Sequence, residues 1–399
     1  MINCDMKAEK RFDLWYVLSL ILLSCSCLNL VGKGSLIFLL FCLLSLVFTY
    51  KKGQKIPYYF ILYFFCAVAV VLSSLLFYSY AEVIKCVNYL LPFIIGFNLI
   101  INSKDYKRTI IQIFFAVFLG FSLNIIIVYF YNLGIKRESV RTLYSFWTKE
   151  PIAVTCVGLF SSVVIGYAAY AIIGRARWII KILSITSLVF GLILAIDTAT
   201  RTPLVLSILV FVIMNYIYIK SNRGRAALRF IFILGLFFLF IYMAYSFDLL
   251  GIKTFFESSN IFKRLEDEGL ETSRWEISLE HFRLMPKYLW GGGNITNETS
   301  EFAHNVFQDA YDNFGVLFAF PFLFIIIHWV YNLIKISCIK GKTSVDYLLV
   351  SVQLAIMIQF CVEPVVTGYP VILWCMFLFD GISTAYLIIR GNVIENCVY

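Results

Sequence analysis

The sequence predicts an all-α polytopic membrane protein, and three observations carry that prediction. Of the 399 residues, 61% are hydrophobic and only 14% are charged; the mean hydropathy is +0.86; and apolar runs near the length of a membrane-crossing helix recur from one end of the chain to the other. Roughly 20 apolar residues in a helix cross a hydrocarbon core of about 30 Å. In lipid a crossing segment has to satisfy its own backbone hydrogen bonds, which selects helices. A soluble chain of this length would divide into about two domains with charged surfaces, and the apolar blocks are too many and too evenly spaced for that.

About twelve spans are expected, at 14–31, 35–50, 57–77, 83–101, 109–133, 152–173, 178–196, 203–219, 226–247, 316–336, 347–366 and 371–389. The first two are parted only by the short Gly32-Lys33-Gly34 turn. Lys51, Lys52 and Lys55 separate the second from the third; Lys104, Lys107 and Arg108 separate the fourth from the fifth. Arg175, Arg177 and Lys181 mark the next such turn, Lys220, Arg223, Arg225 and Arg229 the one after, then Lys335, Lys340 and Lys342, with Arg390 at the end. Lys7, Lys10 and Arg11 precede the first span, so every second connection is basic and holds together more than half of the 33 Lys and Arg. The positive-inside rule then puts both termini in the cytoplasm. That asymmetry accounts for the net charge of +9, and no nucleic-acid partner is needed to explain it. The first apolar run has no cleavage site, so no signal peptide is expected.

On the opposite side basic residues gather in three places: 135–151, the turn DTATRTP around Arg201, and the stretch 246–315. The third is several times a usual helix connection. It divides the chain into an N-terminal bundle (1–247), one large outer loop (248–315) and a C-terminal bundle (316–399). Trp275, Phe282, Tyr288 and Trp290 lie among its charges, which predicts an ordered lid of two or three short helices. Of the 11 cysteines, most sit in or beside apolar spans, where Cys acts as a small hydrophobe. No CxxC and no paired His at ligand spacing occurs, so neither a disulfide framework nor a metal site is expected.

Within RLMPKYLWGGGNITNETSEFAHN, the triple glycine Gly291 to Gly293 suits positive φ, close approach of a ligand, or a hinge. His304, Gln308, Tyr311 and Gly315 share one helical face, with Val306, Phe307, Ala310 and Phe314 opposite. A short amphipathic helix headed by His304 is therefore expected to enter the membrane. The positive end of its dipole favours a neutral imidazole, the form that accepts a proton as general base; a cap or hydrogen-bonding strut is the other role for such a residue. His281 reads as a surface residue and His328 as packing. Arg201, Arg274 and Arg141 offer planar forks suited to phosphate oxygens, against snorkelling or pairing with Glu271, Glu276 or Asp197. Arg274 begins a helix capped by Thr272 or Ser273. Glu266 to Glu268 and the pair Asp309 and Asp312 read as solvated or helix-capping charges. Asp380 is the clearest charge inside a span.

TRTPLVLSILVF (Thr200 to Phe211), SRWEISLEHFRLMPKYLWGGGN (Ser273 to Asn294) and HNVFQDAYDNFGVLFAFPFLF (His304 to Phe324), in that order around one large outer loop, resemble the O-antigen polymerase and O-antigen ligase superfamily. RTLYSFWTKEPIAVT (Arg141 to Thr155) adds a looser likeness. The resemblance implies a GT-C-type bundle in the inner membrane of a Gram-negative bacterium, with its active site on the periplasmic face. It implies an inverting glycosyltransferase without metal, nucleotide sugar or other cofactor, whose donor is an undecaprenyl-pyrophosphate-linked glycan held in the lipid bilayer. It further implies that His304 activates the acceptor hydroxyl, that Arg201 and Arg274 hold the pyrophosphate, and that Arg141, Asn305, Tyr311 and Trp275 contact substrate. A polymerase transfers the growing chain to the next lipid-linked repeat unit and works with a chain-length regulator protein; a ligase transfers it to the lipid A core. Phe146-Trp147 followed by Thr155, WGGGN, and DAYDNFGVLFAFPF favour the polymerase. A flippase or transporter of the same glycans is the reading from another class. Few charges lie in mid-span, no internal repeat is detected, and polar residues concentrate in one outer loop, which favours an enzyme.

Overall fold

The computed structural model describes residues 2–50, 56–77, 83–137, 139–174, 176–221, 243, 246–248, 252–263 and 274–396. In chain order the helices are α1 (Ile2–Cys27), α2 (Gly34–Thr49), α3 (Phe60–Leu76), α4 (Cys86–Ile101) and α5 (Tyr106–Asn132). A hairpin of β1 (Thr142–Tyr144) and β2 (Pro151–Ala153) follows, then α6 (Thr155–Ile173), α7 (Trp178–Asp197) and α8 (Thr202–Ser221). Four short helices come next: α9 (Ile252–Ser258), α10 (Arg274–Leu284), α11 (Asn294–Thr299) and α12 (Val306–Phe314). Three apolar helices follow them: α13 (Val316–Cys338), α14 (Ser344–Phe360) and α15 (Pro370–Asn396).

The protein is thus an all-α, membrane-embedded chain. Helices α5, α6, α7, α8, α13 and α15 are long and apolar enough to cross a membrane. The apolar part of α1, and α2, α3, α4 and α14, are shorter apolar helices at the other expected spans. The expected span 226–247 lies outside the described residues except for 243, 246 and 247. Two compact units emerge, both discontinuous in sequence: Met1–Asn124, Arg274–Ile336 and Ile356–Tyr399 form one, Ile125–Ser273 and Ser337–Ala355 the other. They cut across the division into 1–247, 248–315 and 316–399 expected from the sequence.

Local deviations from expectation have local causes. The first span ends at Cys27 rather than 31, because Asn29 (φ 56°) and Val31 (φ 56°) take left-handed backbone. Asn tolerates that region, whereas a β-branched residue is strained there. The Asn29 side chain then accepts from the Gly34 amide at 3.0 Å and caps α2. The sixth span, expected from 152, begins at Thr155 because 151–153 are extended and pair with 142–144 (Thr142 opposite Ala153, Leu143 opposite Ile152). Pro151, which has no N–H to give, sits at the first position of its strand. Asn132 holds the other strand by exchanging hydrogen bonds of 2.9 and 3.0 Å with the Tyr144 backbone.

In the second unit α6 is the inner helix: 89% of its apolar window is buried, against 28% for α7 and 33% for α8. The outward Ile and Val of α7 and α8 would be an aggregating surface in water and are an ordinary one in lipid. The small residues of α6 let backbones meet, since a Cβ on Gly166 would lie 2.6 Å from Val352 Cα on α14.

In the first unit α4 and α15 pack still closer. A Cβ on Gly381 would lie 2.0 Å from the Phe93 carbonyl oxygen, and one on Gly96 would lie 2.2 Å from that of Leu378. Aromatic rings fill the space around them, with Phe114 stacked on Phe379 at 4.1 Å and Tyr63 on Phe93 at 4.5 Å. The mid-span charge, Asp380, is fully buried and hydrogen bonded to Tyr63, His328 and Asn332. His328 therefore packs, as expected, but also makes a polar contact that hydropathy does not reveal. Cys27, Cys42, Cys66 and Cys375 are buried free thiols.

Candidate functional site

The loop before α13 folds around α12. Asn305 (φ −150°, ψ 156°) is its N-cap, its Oδ1 accepting from the Gln308 amide at 2.9 Å. A short polar side chain at this position satisfies one of the free amides of the first turn. His304 therefore lies just outside the helix, one residue ahead of the cap, rather than at the head of its polar stripe. The stripe itself turns inward onto α10: Gln308 Nε2 donates to the Ser278 carbonyl at 2.8 Å, and Ser278 Oγ donates to Gln308 Oε1 at 3.1 Å. Tyr311 is buried, and its hydroxyl donates to the Met285 carbonyl at 2.6 Å. Met285, Ile295, Tyr311 and Ala319 form a small apolar core beneath.

Gly315 (φ 76°) ends α12 and separates it from α13. The three glycines Gly291, Gly292 and Gly293 have φ of 81°, 82° and 71°, so left-handed backbone is what they supply. Their close approach is to the chain itself. Gly292 and Gly293 amides donate to the Asn313 and Asp312 carbonyls, and Val316 donates to Leu289 at 2.9 Å. The turn is thereby fastened to the end of α12 instead of forming a loose hinge.

Asp309 and Asp312 are both buried, which corrects the expectation that they are solvated; Asp312 caps a helix, whereas Asp309 holds a turn. Asp312 accepts from the Ile295 and Thr296 amides at 2.8 and 3.2 Å, at the start of α11. Asp309 Oδ2 accepts from three consecutive amides, Val365 at 2.6 Å, Val366 at 2.5 Å and Thr367 at 3.3 Å. Its Oδ1 accepts from the Thr367 hydroxyl and from Asn313. The acidic run Glu266 to Glu268 and the expected caps Thr272 and Ser273 lie outside the described residues.

Arg274, the first residue of α10, reaches the same connection between α14 and α15. Its Nη1 donates to the Val362 carbonyl at 3.0 Å and its Nη2 to Glu363 Oε1 at 3.1 Å, with Glu363 buried. Among the described residues the partner is thus Glu363 rather than Glu276 or Asp197; Glu271 lies outside the described residues. Asp197 is paired with Arg137 at 2.6 Å. Arg274 grips residues 362 and 363, Asp309 grips 365–367, and Ser278 joins Gln308. The opening turns of α10 and α12 are held side by side, which brings Arg274 and the His304-Asn305 pair around one connection. Two helix N-termini together favour an anion.

His281, expected at the surface, is fully buried, and its Nε2 donates to the Glu301 carbonyl at 3.0 Å. It fixes the segment leading to His304. Trp275 is 72% exposed. On the outer rim Lys287 and Tyr288 donate to Glu298; that contact raises the Lys287 ammonium above its ordinary pKa and holds the Glu298 carboxyl below its own. Arg141 and Arg201 belong to the second unit. Arg141 is exposed ahead of β1, and Arg201 is half-buried immediately before α8. His304, Arg274, Asn305, Tyr311 and Trp275 all belong to the first unit.

Two residues of this region were not singled out by sequence reasoning. Glu363 stands beside Pro364 at the end of an apolar span, where a charge is costly without a partner; that cost was the available signal. Gln359, one turn earlier on α14, is fully buried, and among the described residues neither of its amide atoms has a hydrogen-bond partner. An unsatisfied buried polar group costs about 1–3 kcal/mol, which a polar ligand would offset.

Burial pushes the Asp309 carboxyl up to about 6, against the opposing pull of Thr367 and the amides of 365–367. The ordinary value is about 4, so folding favours the protonated form, and this group adds stability as pH falls from about 6 to about 4. Protonation also removes an acceptor from the clasp on 365–367. Loosening of the 361–369 connection is expected as pH drops through about 6, while the melting temperature, measured against Asp309→Asn, holds or rises. Asp309→Asn should show the loosened connection at every pH and no such step. Parallel limited-proteolysis and melting profiles over pH check this, and a melting temperature that falls as the connection loosens would contradict it.

No family model matches the chain, and no curated protein matches it in sequence.

Proposed function

We propose that this protein is a twelve-span, GT-C-type glycosyltransferase of a bacterial inner membrane, with both termini cytoplasmic, that polymerises O-antigen at the periplasmic face. The observation that carries the reading is the joining of Arg274 and the His304-Asn305 pair around the 361–369 connection through the buried carboxylates Glu363 and Asp309. A fixed cation and a half-buried imidazole are the parts that sugar transfer from a pyrophosphate needs.

In the reaction, a sugar hydroxyl of one lipid-linked repeat unit attacks the anomeric carbon of the growing glycan on the opposite side from its pyrophosphate. His304 takes the hydroxyl proton as the new glycosidic bond forms. The bond from the anomeric carbon to the pyrophosphate oxygen breaks, and undecaprenyl pyrophosphate leaves with the electron pair. Arginine has five N–H donors; among the described residues Val362 and Glu363 engage two of those on Arg274, and the proposal gives others to phosphate oxygens. Trp275 and Gln359 are proposed contacts to glycan, and the resemblance further assigns Arg201 to the pyrophosphate and Arg141 to substrate. No metal or other cofactor takes part in this scheme.

The test is deletion of the gene in a Gram-negative host followed by gel analysis of lipopolysaccharide. Core bearing a single repeat unit is the expected result, with the ladder restored by the wild-type gene. Arg201→Lys and Arg274→Lys should fail to restore it, because charge without the planar fork is not equivalent. Bare core would assign the protein as the ligase instead. Glycan held on the cytoplasmic leaflet would assign a transporter, the reading that the intramembrane pair His328 and Asp380 would then support.

A further inference from the structure

Outside the site just described, the strongest polar ensemble lies among the spans of the first unit. Asp380 on α15 accepts from the Tyr63 hydroxyl at 2.6 Å, from His328 Nδ1 at 2.8 Å and from Asn332 Nδ2 at 2.9 Å. Thr384, one turn along, lies 3.1 Å from the same Asn332 amide nitrogen. Both oxygens of the Asp380 carboxyl are thus engaged. A buried charge in a span is costly and is retained where it serves a site.

Asn332 Nδ2 also lies 3.3 Å from His328 Nε2, so the three side chains form one connected cluster. His328, Asn332 and Thr384 line a cavity of about 450 Å³, together with Tyr58, Tyr59 and Lys335. The His328 ring is packed against Tyr59 with centroids 3.8 Å apart, which fixes that wall. Among the described residues lining the cavity, Lys335 carries the only permanent charge. Its ammonium lies 4.4 Å from the Tyr331 ring centroid, and the residue is exposed. The rest of the lining is apolar.

A second depression, of about 460 Å³, shares Ile56, Pro57 and Tyr58 with the first and continues along α3 past Ile61 and Phe64. Those two side chains are exposed on an apolar helix. A mainly apolar cavity with one cation and a few polar side chains therefore adjoins an apolar groove along α3. Neither a free anion nor a plain hydrocarbon matches both halves; a lipid with a phosphate headgroup does.

We propose that this is a binding site for one membrane phospholipid. Its phosphate rests on Lys335 beside the Tyr58 and Tyr59 hydroxyls, and one chain lies along Ile61 and Phe64. Charge complementarity selects the head, and the continuity of the two hollows selects an attached chain. The proposal is independent of the enzymatic reading above, because it uses none of the residues of that site.

The experiment uses the full-length protein in detergent, with a phosphatidic acid carrying a photoreactive diazirine near the carbonyl end of one acyl chain. After irradiation, labelled peptides are mapped by mass spectrometry. Labelling is expected to concentrate on residues 56–64 and to saturate at one lipid per chain. Lys335→Ala should reduce it at least five-fold, as should Leu387→Trp, which fills the cavity. Excess unlabelled phosphatidic acid should compete, while inorganic phosphate at the same concentration should not. Two results on the wild-type protein alone would overturn the proposal: equal labelling of 56–64 by a diacylglycerol probe lacking phosphate, or labelling spread evenly over the lipid-facing helices. Full competition by inorganic phosphate, or undiminished labelling in a folded Lys335→Ala protein, would overturn it as well.

Discussion

His304→Ala is expected to abolish glycan polymerisation while leaving the protein folded in the membrane. A positioned general base contributes about 10²–10⁴-fold to rate, so the substitution should bring product below the limit of a gel ladder. The fold should tolerate it because His304 is only half-buried and precedes the cap of α12 instead of belonging to the helix. Asn305→Ala provides the contrast. It removes the cap that holds Gln308 and should cost about 1 kcal/mol of stability, with partial activity remaining. Ladder formation, membrane abundance and melting temperature, measured together on both variants, separate base chemistry from scaffolding. A normal ladder from His304→Ala would remove this residue from the mechanism.

Gly381→Val is expected to have the largest effect on assembly. An ordinary overpacked core substitution costs about 1–3 kcal/mol, but there the neighbour is a side chain that can turn aside. At Gly381 the obstacle is the backbone carbonyl of Phe93, 2.0 Å from where a Cβ would sit. Helices α4 and α15 would have to separate, and the aromatic packing and the Asp380 hydrogen bonds depend on the same helices. Monodisperse protein recovered after detergent extraction should fall several-fold, and even Gly381→Ala should lower the melting temperature. Gly391→Ala, on the same helix with nothing near its missing Cβ, should leave both unchanged. Wild-type behaviour of Gly381→Ala would show that the close approach is not required.

Apolar helices could be located from composition because their length and polarity are set by the solvent they enter, a property of each segment alone. Which of them are inner helices was harder to see. Mean hydropathy does not separate α6 from α7, at 2.0 and 2.5, although the small residues Gly158, Ser161, Ser162 and Gly166 do mark α6. Short helices in the outer loop were legible in part, because periodicity is local: two or three were expected where four are described, and the cap of α12 is Asn305 rather than His304. The links that build the site were not. Arg274 and Glu363 are 89 residues apart, and Asp309 binds amides more than 50 positions away. His281 shows the same limit: nothing around it distinguishes a surface imidazole from one turned onto the Glu301 carbonyl. The inferred roles of His304, Arg201 and Arg274 rest on resemblance and chemistry, while the carboxylates that hold the region together came only from long-range contacts.

Asp380 also bears on how the chain is made. A carboxylate entering hydrocarbon alone faces a penalty of about 3 kcal/mol or more. Tyr63, His328 and Asn332 all precede it in the chain, so the ribosome has delivered each of its hydrogen-bond donors to the bilayer before α15 emerges. Integration of α15 is in that sense templated by segments already inserted. Tyr63→Phe combined with Asn332→Leu should trap newly made protein at that last step, which pulse labelling would reveal as a slowly maturing, protease-sensitive C-terminal helix.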